Sequence, residues 1–264
     1  MSVEVVPASA RAEVKYVDPR DPVAQRILTV LEACAASRRP ITVTELVKKT
    51  SLAKSTVHRM CWNLEKLGFL EHTDGGFSVG TKLFALANAN PVVAEMRAVA
   101  IPYLLDLQRT TNCASALAIL FGGRALVVDG LYTQGYSTKP RVGVALPLHC
   151  TALGKALLAQ LAPADRDQLL GRRLLPKATS RSISHPMMIQ RQMDTIVQSG
   201  FAFSNEEYEA GKMAVAAAFR TSEGTVAALA CVGSSTNRMV GASAANHVRN
   251  AAAQVQRAMV ERGY

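Results

Sequence analysis

The polar side chains between residues 54 and 66 are of the kinds that contact nucleic acid. In an α-helix they gather on one face, which carries Ser55, Arg59, Trp62 and Lys66 and is flanked by Thr56, His58 and Asn63. Hydroxyls, an amide and a guanidinium are the groups that read base edges and phosphates. Residues 38 to 59 carry six Lys or Arg against one Glu, a net charge of +5. The segment therefore predicts a helix that faces DNA.

A helix of this kind needs a scaffold that buries its opposite face. The apolar residues predicted for that role recur at i, i+3/i+4 and i+7: Val57, Met60, Cys61, Leu64 and Leu67. Before them, a short helix would turn Val43, Leu46 and Val47 inward and end in a tight turn near Ser51. Two amphipathic helices across such a turn are typical of a helix-turn-helix. Small helical bundles contain similar pairs, and a charged face is often only solvated, so this stretch alone leaves both interpretations open.

Flanking segments extend the helix-turn-helix into a larger domain. Asp21-Pro22 is a helix-start signal, and the helix after it is expected to bury Val23, Ile27, Val30, Leu31 and Cys34. Downstream, apolar runs at 69–72 and 77–79 flank Asp74-Gly75-Gly76, the pattern of a β-hairpin. Three helices and a hairpin predict a winged helix-turn-helix over residues 21–84, after a flexible tail over residues 1–20.

Nine residues of the second helix and the wing are predicted to contact DNA. The residues expected to face base edges are Ser55, Thr56, Arg59 and Asn63, with His58 beside them. The residues expected to face phosphates are Lys54, Lys66 and the wing glycines Gly75 and Gly76.

Residues 85–264 are predicted to form a linker helix and a second domain of the α+β class, with the boundary between residues 85 and 91. A linking helix over 81–89 breaks at Asn90-Pro91, and a longer helix runs to about residue 109. Strands are expected at 113–121, 124–131, 142–148, 200–205, 213–219 and 225–233. Helices are expected at 151–160, 163–170, 186–199 and the C-terminus. Hairpin-linked strands with grouped helices indicate an antiparallel sheet.

Motifs of catalysis and metal binding are incomplete or misplaced. Ser51-Leu52-Ala53-Lys54 matches an SxxK nucleophile pattern but falls in the helix-turn-helix turn and lacks partner motifs. Gly154-Lys155 resembles the end of a P-loop without its earlier Gly or its following Ser or Thr. His149 and Cys150 would point to opposite faces of a strand and could not easily cooperate. We therefore expect no enzyme activity, no metal and no cofactor.

Residues 146–156 are the best candidate for a small-molecule site. A strand would lead into a helix with Thr151 as N-cap, and the small residues there leave backbone N–H groups open to an anion such as a carboxylate. The neighbouring strands carry alanines on one face, at positions 214, 216, 218, 228 and 230. Such a face leaves room for a ligand or lets a helix pack closely, and spacing does not separate the two. The polar candidates are Thr151, Ser204 and Lys212.

Composition limits the class of protein. The 264 residues are 49% hydrophobic, which excludes global disorder, and carry a net charge of +10 that suits a polyanionic partner. Residues 1–90 hold 12 Lys or Arg against 9 Asp or Glu, a net of only +3. The five cysteines are scattered without a CxxC pair and are expected in a reduced core. The first twenty residues lack an apolar core and no 18-residue apolar run follows, so we expect a cytoplasmic protein without a membrane partner.

The order of these elements, together with three motifs, resembles the IclR (isocitrate lyase regulator) family of bacterial transcription regulators. The first motif is Ala-Lys-Ser-Thr-Val-His-Arg at 53–59. The second is Pro-Leu-His-Cys-Thr-Ala-Leu-Gly-Lys-Ala-Leu-Leu-Ala at 147–159. The third is Gly200-Phe201-Ala202 followed by Glu206-Glu207 and Gly211. The similarity extends from about residue 21 to the C-terminus.

The resemblance implies a winged helix-turn-helix joined by a helical linker to a GAF-like effector-binding domain. It also implies a homodimer or dimer of dimers on inverted-repeat operators in double-stranded DNA, with RNA polymerase as a further partner. Such regulators repress or activate catabolic genes in response to a small organic acid or aromatic metabolite. By position, the effector would contact Thr138, Leu146, Ala152, Leu153, Ser204, Lys212, Ala214, Ala230 and Val232.

Some positions depart from the family's pattern. Ser51 stands where the family commonly has Gly, which predicts slight strain in that turn. Ala214, Ala230 and Val232 are apolar where relatives can carry a thiol or hydroxyl, which predicts a larger or less polar ligand than a two- or three-carbon acid. Two alternatives stay open at this point: an enzyme with a helical dimerisation module, and an architectural DNA-binding protein without a ligand.

Overall fold

The computed structural model describes residues 22–37, 39–132, 142–237 and 242–264, and the chain divides into two compact units. One unit ends at Pro91 and the other begins at Val92. The tail expected over residues 1–20 lies outside the described residues, as do Asp21 and Thr138.

The first unit is a bundle of three helices followed by a hairpin. Its elements are α1 (Val23–Ala35), α2 (Val43–Thr50), α3 (Lys54–Lys66), β1 (Leu70–Thr73), β2 (Gly76–Val79) and α4 (Thr81–Ala87). Val30, Leu46, Val57 and Cys61 are completely buried, and Phe77 brings the hairpin into the same core. This is the predicted winged helix-turn-helix, with α2 and α3 as the motif and the β1–β2 hairpin as the wing.

Two apolar residues assigned to this core are exposed, so those assignments were wrong. Val23 is 57% exposed and Leu67 is 56% exposed. Val23 is the first residue of α1, after Pro22 at the N-cap, and Leu67 is the C-cap of α3. A side chain at a helix end has neighbours of its own helix on one side only, so apolar periodicity predicts burial less well there.

The ends of α2 define the turn of the motif. At its start, Thr42 and Glu45 form a capping box: the Thr42 hydroxyl accepts from the Glu45 amide at 3.3 Å, and the Glu45 carboxylate accepts from the Thr42 amide at 3.0 Å. At its end, Ser51 adopts a left-handed conformation with φ of 57°. Glycine takes this conformation without steric cost, and a serine does not. The structure thus agrees with the strain predicted for Ser51.

The wing is attached to the segment before α2. Strands β1 and β2 pair antiparallel with Thr73 opposite Gly76, so Asp74 and Gly75 form the turn. Ile41 adds an isolated bridge to Phe77 through two backbone hydrogen bonds of 2.8 Å. The hairpin therefore has a fixed position relative to the helix-turn-helix.

The second unit is built on a six-stranded antiparallel sheet. Its elements are α5 (Pro91–Thr111), β3 (Ala114–Phe121), β4 (Arg124–Leu131), β5 (Ala145–Leu146), α6 (Ala152–Ala159), α7 (Pro163–Leu170), α8 (Pro186–Ser199), β6 (Ala202–Asn205), β7 (Lys212–Arg220), β8 (Val226–Ser234) and α9 (Ala242–Glu261). The strand order is β5-β4-β3-β8-β7-β6. The predicted antiparallel α+β class is confirmed, but the strand expected over 142–148 is shortened to β5.

Alternating residues divide the sheet into a large-residue face and an alanine face. On β7, Val215 and Phe219 point to the face covered by α5 and α9. Ala214 and Ala216 point to the opposite face, where α6 and α8 pack. Gly154 permits this close approach of α6, because a Cβ at that position would lie 2.4 Å from the Cα of Leu148. The small side chains thus serve close helix-on-sheet packing over most of the face.

Candidate nucleic-acid interface and ligand site

The outward face of α3 presents most of the residues predicted to contact DNA. Seven predicted residues lie there: Lys54, Ser55, His58, Arg59, Asn63 and Lys66 are exposed, and Thr56 is half-buried. Val57, Met60, Cys61 and Leu64 point the other way into the core. Within the described ranges, the cations Lys54, Arg59 and Lys66 have no ion-pair partner. Their charges are therefore available to an external anion.

Trp62 was expected on this face, and the structure places it elsewhere. Its ring packs edge-on to Phe77 with centroids 5.5 Å apart, and lies 4.9 Å from the ring of His72. Its Nε1–H donates to His58 Nε2 at 3.0 Å. Trp62 thus leans from α3 towards the wing and belongs to the core. Because His58 Nε2 accepts this bond, Nδ1 is left as the donor that His58 can offer outward.

The two wing glycines occupy different environments. Gly75 is exposed at the tip, where a contact with a phosphate remains a prediction. Gly76 is buried, and a Cβ there would lie 2.4 Å from the carbonyl oxygen of Ile41. Burial leaves no path from Gly76 to a phosphate, so its role is to let the backbone of the wing approach Ile41.

The N-terminus of α6 is organised by Thr151, as predicted. The Thr151 hydroxyl accepts from Gly154 N at 3.0 Å and donates to Pro147 O at 2.7 Å. Thr151 is only 6% exposed, so its hydroxyl is already engaged within the protein. Ala152 and Leu153 follow in the first turn and are buried against the alanine face. A ligand at this terminus would contact the hydroxyl only after a local rearrangement.

Several predicted effector residues lie side by side on the neighbouring strands β6, β7 and β8. Ser204 pairs with Ala214, which pairs with Val232 on the next strand. Lys212 lies on the same face, two residues before Ala214, and Ala230 is buried in the adjacent row. The Ser204 hydroxyl donates to Cys150 O at 3.0 Å, which joins this row to the start of α6. Leu146 lies on β5 at the opposite edge of the sheet, but it packs against the same buried cluster as Ala152 and Ala230.

A buried ion pair lies beside this row and was not predicted from the sequence. Lys155 Nζ donates to Glu207 Oε1 at 2.8 Å and to Gln192 Oε1 at 3.2 Å. Lys155 is 2% exposed and Glu207 is 8% exposed. Among the described residues Glu207 Oε2 has no hydrogen-bond partner. Its sequence signal is Gly154-Lys155, which otherwise resembles only the end of a phosphate-binding loop.

The remaining reactive side chains are held in unreactive environments. Burial, followed by the nearby charge of Glu207, raises the pKa of the Cys150 thiol to about 12. Burial is also the main cause that lowers the pKa of His149, whose Nε2 lies 2.9 Å from Pro176 O. No group of His, Cys, Asp and Glu able to hold a metal occurs in the described ranges. Cys150 thus stays a protonated thiol at neutral pH.

Comparison with known proteins identifies both units. Residues 23–74 match the IclR helix-turn-helix domain, and residues 92–257 match the C-terminal domain of the bacterial transcriptional regulator IclR. The chain belongs to the IclR family. The resemblance inferred from the sequence motifs is therefore confirmed.

Individual relatives of this IclR-family protein are regulators. An HTH-type transcriptional regulator of Mycobacterium tuberculosis, Rv1719, is 32% identical over 75% of each chain. The acetate operon repressor of Salmonella typhimurium is 28% identical over 72% of each chain. An IclR homolog of Microbacterium hydrocarbonoxydans, crystallised with 4-hydroxybenzoate, superimposes with a TM-score of 0.81 at 25% identity, over 89% of this chain and 98% of the other.

As an IclR-family member, the protein is a transcriptional regulator with a DNA-binding and an effector-binding domain, and not an enzyme. Across the described parts of the chain, every helix is too short or too polar to span a bilayer.

Proposed function

We propose that this regulator binds an inverted-repeat operator as a homodimer, or as a dimer of dimers, and alters that binding when a small organic metabolite occupies its second unit. The observation that carries the proposal is the outward face of α3, with exposed cations that have no partner inside the described chain. A helix with one buried face and one polar, cationic face fits the major groove. Bound at a promoter, the dimer would block or recruit RNA polymerase.

The contacts divide into base-reading and phosphate-holding groups. Ser55, Thr56, Arg59 and Asn63 lie where they would read base edges, with His58 Nδ1–H as a further donor. Lys54 and Lys66, at the two ends of α3, would hold phosphates, and Gly75 would bring the wing backbone to the adjoining strand. Gly76 and Trp62 are not assigned a contact with DNA, because Gly76 is buried against Ile41 and Trp62 packs against Phe77.

Exposed apolar side chains on α4 support a homodimer. This helix has only seven residues, and none of them is buried. Phe84 is 72% exposed and Leu86 is 52% exposed. So short a helix is marginal in water without tertiary packing, and a second copy of the unit would supply that packing. A two-fold pair of recognition helices would then match an inverted repeat.

The effector site is proposed around the start of α6 and the Ser204–Ala214–Val232 row. The α6 N-terminus and Lys212 would attract a carboxylate, and the apolar side chains of Ala214, Ala230 and Val232 would contact the body of the ligand. Leu146, Thr151, Ala152, Leu153 and Thr138 complete the proposed set. The 4-hydroxybenzoate bound by the Microbacterium hydrocarbonoxydans homolog supports an aromatic acid as the effector class.

DNA recognition is tested by selecting operators from random DNA and then comparing two variants. Arg59→Ala should weaken operator binding by about 1–3 kcal/mol and relax specificity at one base pair, because a guanidinium that grips a guanine is lost. Lys66→Ala should weaken binding to all sequences alike and flatten the salt dependence. Operator affinity that is unchanged in Arg59→Ala would contradict the proposed orientation of α3.

Effector binding is tested with a thermal-shift screen of aromatic and short-chain carboxylates, followed by operator gel shifts with each hit. A true effector should raise the melting temperature and change operator affinity. Ala214→Leu should abolish both effects, because the larger side chain fills the proposed site. Ala253→Leu, on the exposed surface of α9, is the matched control. A response that survives in Ala214→Leu would place the effector elsewhere.

The dimer is tested by sedimentation of Phe84→Glu, which should shift the protein towards monomer and weaken operator binding. Phe121→Glu is the control, since Phe121 is 66% exposed but lies in the other unit. An unchanged sedimentation coefficient for Phe84→Glu would refute the role of α4.

A further inference from the structure

A cavity of about 200 Å³ opens beside the C-terminal end of α6, away from the proposed effector residues. Ala156, Ala159 and Ala218 leave the space, and Ile196 and Phe201 supply apolar walls. None of the residues that line it belongs to the proposed effector set. It is therefore a separate feature of the second unit.

The cavity arises because α6 does not cover the whole alanine face. Ala216 and Ala228 are completely buried under the helix layer. Ala218, farther along β7, is only half-buried, because α6 ends at Ala159 while β7 continues to Arg220. The alanine face is thus closed at its centre and open at this end.

Two arginine side chains contact residues of the cavity wall or the residue beside it, although neither arginine lines the cavity itself. Arg220 Nη2 donates to Gln160 O at 2.6 Å, and Gln160 lines the cavity. Arg249 Nη1 donates to Ser199 O at 3.2 Å, and its Cδ lies 3.1 Å from where a Cβ of the lining residue Gly200 would stand. Both arginines are exposed, and neither forms an ion pair within the described residues. Each has N–H groups left to donate.

We propose that this cavity is a second binding site, for a small aromatic carboxylate. The volume exceeds the roughly 150 Å³ of an apolar cavity that admits benzene. The ring would lie between Ala159, Ala218 and Phe201, where it leaves water for an apolar wall. The carboxylate would lie at the opening, where Arg220 and Arg249 offer charge-assisted hydrogen bonds.

Benzoate titration of the full chain with ¹³C-labelled alanine methyl groups tests this site. The methyl groups of Ala159 and Ala218 report on the cavity, and those of Ala214 and Ala230 report on the proposed effector site. The expected result is a saturable shift of the Ala159 and Ala218 signals. Absence of that shift up to millimolar benzoate overturns the proposal.

Variants of the protein test the contacts with the ring and the contacts with the carboxylate separately. Ala159→Leu should abolish the Ala218 shift by filling the cavity, whereas Ala253→Leu should preserve it. The double variant Arg220→Gln/Arg249→Gln should weaken benzoate binding about tenfold and leave the affinity for neutral benzyl alcohol unchanged. Arg257→Gln, also exposed on α9, is the charge control. Benzoate affinity that is unchanged in Ala159→Leu and in the double arginine variant contradicts the assignment.

The same titration distinguishes this site from the proposed effector site. Shifts confined to Ala214 and Ala230, with altered operator binding, would refute the second site and support the proposed function. Shifts of Ala159 and Ala218 without any change in operator binding would support the second site and show that benzoate is not the effector.

Discussion

Gly76 lets the wing pack directly against Ile41, a residue just before α2. No side chain would fit at this position. Its φ is +116°, and a Cβ would lie 2.4 Å from Ile41 O. Gly75, one residue earlier, has no positive φ, and its nearest contact would be Pro40 Cβ at 3.4 Å. Neighbouring glycines in the same turn therefore have different functions: one permits a close backbone approach, and the other forms an exposed tip.

Gly76→Ala is expected to lower the free energy of unfolding by about 1–3 kcal/mol, because it forces a strained φ and a steric clash. Gly75→Ala should change it by less than about 0.5 kcal/mol. Urea denaturation of both variants provides the measurement. Equal effects of the two substitutions would show that the close approach to Ile41 does not constrain the wing.

Among the elements, α2 depends on its N-terminal contacts because it has only eight residues. Arg39 Nη2 donates to Glu45 Oε1 at 2.5 Å, and the Thr42 amide and hydroxyl donate to Glu45 Oε2. The hydrogen bond from Arg39, followed by those from Thr42, lowers the pKa of Glu45 to about 2. The charged carboxylate thus stabilises the start of the helix that supports α3.

The capping box predicts a stability loss in acid. The folded-state pKa of Glu45 lies below its ordinary value of 4.5, so its contribution is complete above about pH 4.5 and is lost as the pH falls towards 2. Wild type and Glu45→Gln should therefore differ in urea midpoint at neutral pH and converge in that acidic window. Glu32→Gln, on the exposed surface of α1, should show no such convergence. A Glu45→Gln difference that persists at low pH would argue against the ion pair.

A second contact between elements, the Lys155–Glu207 pair, connects α6 and α8 to the loop between β6 and β7. That loop separates Ser204 from Lys212, two residues of the proposed effector site. Ser182 also holds the loop, since its hydroxyl donates to Glu207 O at 2.5 Å. The pair therefore joins the helix layer to the loop beside the row where the effector is proposed to bind.

Glu207→Gln should destabilise the second unit by about 3–5 kcal/mol, because it leaves the Lys155 ammonium buried without a counter-charge. Lys155→Met/Glu207→Leu should cost less than the sum of its single changes. Glu206→Gln is the control. Glu206 Oε2 lies 3.6 Å from Nε of the exposed Arg181, so the loss of this ion pair should lower the stability by less than about 1 kcal/mol. The loss of stability of each variant is measured by thermal denaturation. A double variant whose loss equals the sum of the losses of its two single variants would show that the two groups act independently.

At the scale of the whole molecule, each unit has its own core, and the five cysteines are divided between them. Cys34 and Cys61 lie in the core of the first unit, and the remaining three lie in the second. Burial raises the pKa of Cys34, Cys150 and Cys231 to about 12 and that of Cys61 to about 11. The fold thus favours the neutral thiol throughout.

These thiols predict an alkaline loss of stability in both units. Their folded-state pKa values exceed the ordinary 9.0, so the stabilisation is complete below about pH 9 and is lost as the pH rises towards 11 to 12. Urea midpoints should fall between about pH 8 and pH 10.5, and iodoacetamide should label the folded protein far more slowly than the urea-unfolded protein. Rapid labelling of all five thiols in the folded state would contradict this prediction.

The amino-acid sequence by itself determined the helices, the wing, the antiparallel α+β class and the residues on the outer face of α3. These follow from apolar periods, Gly-containing turns and helix-start signals, all of which act between residues close in the chain. The positions Ser204, Ala214 and Val232 were implied by the resemblance to the IclR family and not by a local pattern, and their side-by-side pairing is seen only in the structure.

Only the tertiary structure decided which residues remain accessible to DNA or a ligand and which are buried in contacts within the protein. Trp62 packs against Phe77 of the wing, and Gly76, itself a wing residue, is buried against Ile41. Lys155 forms an ion pair with Glu207, 52 residues away in the chain. The alanine face is covered at Ala216 and open at Ala218. These contacts depend on how far one helix or strand extends across another. They also depend on how closely two backbones approach where a glycine has no side chain. A local pattern specifies the face that a residue takes within its own element, and it does not specify what packs against that face.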